Sequence, residues 1–203
     1  MKYLGEYSIT KNKETVIITD EGEYPIWVRD AEKHFSGFEK GEEIEDTELL
    51  ITLACRRYIK KKAIRRLAAG DITKKALITK LCREKAFGTY PDRAWVEELI
   101  GKLEKAGYLD DKGYAKRYAE KCLDKLWGEV KVKGSMYEKG FERETVDEAL
   151  ESLNPDFTAL AKEYIEKNLV GQDKDVIWRK LSSRGFFSDT ITSALSGTQN
   201  AEC

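Results

Sequence analysis

The chain has 203 residues, of which 41% are apolar and 36% charged, with only three prolines; this allows a core for one or two ordinary domains and favours a mostly helical protein with much solvated surface. No apolar run approaches the ~18 residues of a membrane span and no leader-like segment opens the sequence, so a soluble, cytoplasmic protein with reduced thiols is expected. The formal net charge of −1 argues against a polyanion partner for the chain as a whole, but residues 47–88 carry 12 Lys/Arg against 3 Asp/Glu, flanked by acidic balances of 6 against 12 before and 18 against 22 after.

Residues 3–28 differ from the rest in period. Tyr7-Ser8-Ile9-Thr10 and Thr15-Val16-Ile17-Ile18-Thr19 are rich in β-branched residues, Asp20-Glu21-Gly22 signals a turn, and Glu23 to Val28 reads as a returning strand with Pro25 at an edge. A hairpin or three-stranded sheet of this size is too small to stand alone, so it should pack on the helical part of the chain through Trp27 and Phe35. Gly37 and Gly41 lead out of it, and Glu42 to Asp46 form an acidic approach to the first long helix.

That helix is expected from Thr47 to Ala69, with Leu49, Leu50, Leu53, Ala54, Ile64, Leu67 and Ala68 at helical spacing and Gly70 beyond its end. At 100° per residue Arg57 and Lys61 fall within the arc of Leu50, Leu53 and Ile64, so the apolar stripe is interrupted. Part of the helix therefore faces water or a partner on more than one side. A second helix runs from Thr73, an N-cap residue, to Phe87; a third opens at Pro91-Asp92, carries Trp95, Val96, Leu99, Ile100 and Leu103, and ends at Gly107.

The pattern then repeats. Helices are expected from Asp111 to Trp127, through Val132 and Met136 to Gly140, and through Val146, Ala149, Leu150 and Leu153 to Asn154-Pro155. A third set runs from Asp156 to Val170, through Val176, Ile177 and Leu181 to Gly185, and through Ile191 and Leu195. Gly140-Phe141 and Gly185-Phe186 lie 45 residues apart, preceded by Lys139 and Arg184 and followed at equal intervals by Val146 and Ile191, then Leu150 and Leu195. The expected fold class is mainly α: tandem three-helix repeats at 47–108, 109–153 and 154–198, after a small β-rich element at 1–46 and before a tail at 199–203. Such an array is elongated and curved, and its function is a property of its surface.

Candidate chemistry is sparse. Cys55, Cys82, Cys122 and Cys203 lack C-x-x-C pairing, the first three fall on expected helices as small buried thiols, and His34 is the sole histidine. With no P-loop, nucleotide fingerprint or nucleophile motif, no catalytic residue, metal or cofactor is expected. Asp110 and Asp111 read as helix-start residues and not as a metal or acid–base pair. Trp95, Trp127 and Trp178 read as core residues, with base stacking on a single strand as the functional alternative.

Gly107-Tyr108-Leu109-Asp110-Asp111-x-x-Tyr114-Ala115 resembles the junction before the second repeat in the RecX family of bacterial recombination regulators. Gly128, Val132, Met136 and Lys139-Gly140-Phe141 match a family pattern of Gly, apolar residues at +4 and +8 and Gly at +12, and Thr73, Leu77, Leu81 and Phe87 match the corresponding helix of the first repeat. The likeness covers about residues 50–197, and the β-element at 3–28 is similar to that of longer members from Gram-positive bacteria. It implies a non-enzymatic modulator of RecA that lies along the filament groove on single-stranded DNA and restrains ATP hydrolysis and strand exchange. Some members also bind DNA. This chain departs from the commonly basic family in its near-neutral charge and in Glu129, which implies weak intrinsic affinity for single- or double-stranded DNA. A helical module acting directly on DNA is the alternative function, and a monomer is the expected state. Against this background Arg57, Lys60, Lys61, Lys62, Arg65, Arg66, Lys74 and Lys75 form the candidate contact surface, the plain alternative being an ordinary solvated helix.

Overall fold

The computed structural model describes residues 1–9 and 13–197; Thr10, Cys203 and the rest of the expected tail lie outside the described residues. The chain is mainly helical, with a small antiparallel sheet at its start, and it divides into two compact units, Met1–Asp71 with Ala76–Leu109 and Ile72–Lys75 with Asp110–Cys203.

In the first unit, β1 (Tyr3–Ile9), β2 (Glu14–Thr19) and β3 (Gly22–Trp27) form a sheet in that order, with Tyr3 opposite Thr19 and Glu14 opposite Trp27. β2, central and rich in β-branched residues, is the best buried, while Pro25 lies on the edge strand β3, where its missing N–H leaves no ladder position empty. Thr19 organises the Asp20-Glu21 turn: its hydroxyl accepts from the Glu21 N–H at 3.2 Å and donates to the Gly22 carbonyl at 3.0 Å. Residues 41–44 return along the outer side of β1, where Tyr3 N–H donates to Glu42 and Gly41 N–H to Tyr3, both at 2.8 Å. α1 (Val28–His34) follows β3 directly. Ile17, Tyr24, Ile26, Phe35 and Ile44 then close over Leu50, Leu53 and Ala54 of α2 (Thr47–Ala68), which supplies the core that the sheet lacks by itself. Phe35 enters this core as expected; Trp27 stays half-buried at its margin.

α3 (Lys74–Cys82) stops well before Phe87, the end expected from its apolar spacing. Ala86 and Thr89 exchange backbone hydrogen bonds at 2.9 and 3.1 Å across a tight turn with Phe87 at φ 52°, and the Phe87 ring packs against Tyr24 and Tyr58. α4 (Arg93–Lys105) starts at Asp92, whose carboxylate accepts from the Trp95 N–H at 2.8 Å.

The second unit contains α5 (Asp111–Leu123), α6 (Glu129–Lys139), α7 (Arg143–Leu153), α8 (Phe157–Asn168), α9 (Lys174–Ser183) and α10 (Ser188–Gly197). Ala115, Ala119, Val132, Met136, Phe141 and Val146 form one buried cluster across α5–α7; Ala161, Ile165, Leu181, Phe186 and Ile191 form another across α8–α10. α5 ends at Leu123 and not at Trp127, and Gly128 is the N-cap of α6.

The Gly-Phe recurrence has a local cause. Gly140 at φ 92° and Gly185 at φ 83° occupy the left-handed region that ends a helix, and the next N–H reaches back, Phe141 to Met136 and Phe186 to Leu181, both at 3.2 Å. Each turn drives its phenylalanine into the cluster of its own helices.

Gly128 answers to a different constraint, since its φ of −74° suits any residue. Its N–H donates to the Arg184 carbonyl at 2.9 Å and Val130 N–H donates to Gly185 at 3.0 Å, so the start of α6 sits on the end of α9. A Cβ at Gly128 would lie 2.3 Å from the Gly185 backbone, and one at Gly185 would lie 2.4 Å from the Lys131 nitrogen. Gly128→Ala is predicted to destabilise the fold by about 1–3 kcal/mol through overpacking. Gly134→Ala, within α6 and with open space around the new Cβ, should raise stability by up to about 1 kcal/mol. Denaturant unfolding of the two variants checks both signs.

Candidate partner-binding surface

α2 carries most of the candidate residues, and its burial explains the interrupted stripe. Its first half buries Leu50, Leu53 and Ala54 against the sheet, but its second half buries Ile59 and Ala63, which lie on the opposite side of the helix. The buried face thus turns by about half a revolution along the helix. Ile64, expected in the core stripe, is left 50% exposed for this reason.

This rotation sorts the basic residues. Arg57 is not a surface residue: its side chain is 11% exposed and pairs with Glu14 of β2, itself 6% exposed. Burial lowers the Arg57 guanidinium from its ordinary pKa, and the adjacent carboxylate compensates the charge. Lys62 and Arg66 turn towards Glu84, just beyond α3, at 3.7 and 2.5 Å. Lys60 lies with its Nζ 5.4 Å from the Trp27 ring, on the same indole that Arg57 approaches at 5.9 Å. Lys61 and Arg65, one turn apart beside Ile64, are exposed and make no ion pair with the described residues.

Lys74 and Lys75 belong to the second unit. The Lys74 N–H donates to both carboxylate oxygens of Asp111 at 3.1 Å, and the Lys75 ammonium lies 3.7 Å from Glu142. Thr73, 1% exposed, donates its hydroxyl to the Lys139 carbonyl at 2.8 Å, so a group expected to serve its own helix also satisfies the end of α6. The paired aspartates divide in the same way. Asp110 accepts from Gly113 N–H at 2.9 Å and caps α5, while Asp111 caps the start of α3. Of the eight candidates, Arg57, Lys62 and Arg66 pair with carboxylates of the first unit, Lys60 sits on the Trp27 ring, Lys75 stays exposed beside Glu142, and Lys61 and Arg65 are exposed with no ion pair to a described residue.

The tryptophans are less buried than their apolar neighbours predict. Trp178 is 37% exposed, Trp95 is half-buried beneath Arg56, and Trp127 lies beyond the end of α5 with the Lys125 and Lys131 ammonium groups 5.0 and 4.9 Å from its ring. Cys55 and Cys122 are buried thiols whose pKa is raised by burial. Among the described residues no group of three or more His, Cys, Asp or Glu could hold a metal ion, and no helix is long and apolar enough to cross a membrane.

Glu14 and Glu84 escaped the sequence reading because their roles depend on distant basic partners, with no local spacing to reveal them. Glu14→Ala, which strands a buried guanidinium, is predicted to cost about 3–5 kcal/mol, and combining it with Arg57→Met should recover much of that loss. Thermal unfolding of both single variants and the double variant checks the prediction; losses that simply add would mean that the pair is not coupled.

Comparison with known proteins places this architecture. No family model matches the chain. The regulatory protein RecX of Caldanaerobacter subterraneus subsp. tengcongensis is 29% identical over 138 residues, 66% of this chain and 67% of that protein. A crystal structure of a regulatory protein RecX covers 96% of this chain and 98% of its own, with a TM-score of 0.68 at 18% identity, a likeness of fold. The regulatory protein RecX of Clostridioides difficile is 30% identical over 173 residues, covering 79% of this chain and 78% of that protein. On that identity and span, the chain belongs to the RecX family of regulatory proteins.

Proposed function

We propose that the protein regulates a RecA-type recombinase by binding the recombinase filament on single-stranded DNA and restraining its ATP hydrolysis and strand exchange. The action is non-enzymatic and runs through the helical surface, with no cofactor. In this reading the triplets α2–α4, α5–α7 and α8–α10 are tandem units that come after the β-rich element, and the protein works as a monomer in the cytoplasm.

The observation that carries the proposal is the pairing of family membership with an exposed basic stripe, Lys61 and Arg65 flanking Ile64, on a helix where Arg57, Lys62 and Arg66 are paired with carboxylates. A charged stripe around an apolar residue suits contact with an acidic protein surface, where a pair of opposite charges speeds encounter and fixes register. Arg57 is unsuited to such contact because it already has a buried partner, and Arg66 is held by Glu84.

Replacing both Lys61 and Arg65 with Glu is predicted to weaken binding to recombinase-coated single-stranded DNA by about tenfold or more, equivalent to about 1.4 kcal/mol, and to relieve ATPase inhibition in parallel. The melting temperature should stay unchanged, because neither side chain is buried or paired. Wild-type affinity and inhibition in a folded double variant would remove this stripe from the contact surface.

A further inference from the structure

A groove of about 670 Å³ lies within the first unit, between the end of β3 with α1 on one side and α2 and α4 on the other. Its lining combines two indoles, Trp27 and Trp95, with Lys13, Arg29, Lys60 and Glu32. Glu98 and Lys102, also in the lining, neutralise each other through an ion pair at 2.5 Å. The remaining cations outnumber the remaining carboxylate. Among the described residues Lys13 and Lys60 make no ion pair, and Arg29, 87% exposed, pairs with Asp30 at 3.6 Å.

Core packing does not account for the indoles. Neither Trp27 nor Trp95 belongs to the buried cluster that joins the sheet to α2, and both are half-buried. Each sits beside cationic groups, Lys60 and Arg57 at 5.4 and 5.9 Å from the Trp27 ring and Arg56 at 5.5 Å from Trp95. Partly exposed aromatic rings interleaved with cations provide π-faces for planar groups and counter-charges for anions at close range. The volume is that of a site for a small organic group.

We propose that this groove binds a nucleotidyl group, a planar base stacked against Trp27 or Trp95 with its phosphate held by Lys60, Arg29 and Lys13. The two indoles favour this occupant over an acidic peptide, because a planar base stacks on an indole face while a carboxylate side chain does not, and Glu32 can accept a hydrogen bond from the exocyclic amino group of the base. The nucleotidyl group comes either from a free nucleotide or from a single strand.

The test uses the full chain carrying Trp127→Phe and Trp178→Phe, so that fluorescence reports Trp27 and Trp95 alone, with retention of fold checked by circular dichroism. It contains no recombinase, so its result is separate from that of the filament experiment. dAMP, a short oligodeoxyadenylate and polyglutamate are titrated at low salt. Saturable quenching by dAMP or by the oligonucleotide, weakened tenfold or more by Lys60→Glu and by Arg29→Glu at unchanged melting temperature, supports the site. Equal affinity per nucleotide for both probes assigns a free nucleotide, and quenching by the oligonucleotide alone assigns a single strand. No saturable quenching, quenching indifferent to both reversals, or response to polyglutamate in place of the nucleotides overturns the proposal.

Discussion

The start of α6 rests on the end of α9 with no side chain between them, and this contact sets the geometry of the second unit. A helix begins with N–H groups that lack intrahelical acceptors and ends with carbonyls that lack donors. Here each deficit answers the other: Gly128 and Val130 donate to Arg184 and Gly185. The macrodipoles meet with opposite partial charges, which adds a favourable electrostatic term. Only glycine permits this approach at positions 128 and 185, so two residues without side chains constrain how the clusters of α5–α7 and α8–α10 are held together. A related solution serves the end of α6, where Thr73 supplies a hydroxyl to the Lys139 carbonyl and Asp111 supplies acceptors to the Lys74 N–H.

α2 shows how packing divides a basic segment into structural and available charge. A helix buried on one face throughout would leave its whole polar face to solvent, but α2 changes its buried face midway. Arg57 is thereby drawn against β2, and Lys62 and Arg66 are drawn to Glu84. A buried pair such as Arg57 with Glu14 contributes modestly to net stability, because desolvating both charges offsets their attraction. Its loss on one side only is costly, which makes the pair a constraint on how the sheet sits on α2. The charge of residues 47–88 is therefore not all available to a partner, since Arg57, Lys62 and Arg66 are paired within the fold.

Much of the fold was readable from the order of residues because its signals are local. The β-branched runs of 3–28, the aspartate caps at 92, 110 and 156, and the paired Gly-Phe steps each act within a few residues. The early ends of α3 and α5 were not readable, since Phe87 leaves its helix to pack on Tyr24 and Tyr58, and Gly128 is fixed by residues more than 50 positions away. The basic cluster was visible as composition. Its division was not, because it turns on Glu14 and Glu84, whose partners lie across the fold. Trp27 was expected in the core and Trp95 was read from its apolar neighbours, while their shared groove exists only once β3, α2 and α4 are assembled.

Membership of the RecX family of regulatory proteins and a small exposed basic stripe are the observations behind the proposed recognition of a protein-coated strand. Affinity for bare DNA should be modest, since the chain as a whole is near neutral and acidic segments flank its basic one. The most direct measurement compares binding of the full chain to bare single-stranded DNA and to the same DNA coated with recombinase, at physiological salt and with recombinase ATPase followed in the same samples. The account predicts clear preference for the coated strand together with a fall in ATP hydrolysis. Equal affinity for the two, collapsing as salt is raised and leaving hydrolysis unchanged, would contradict it.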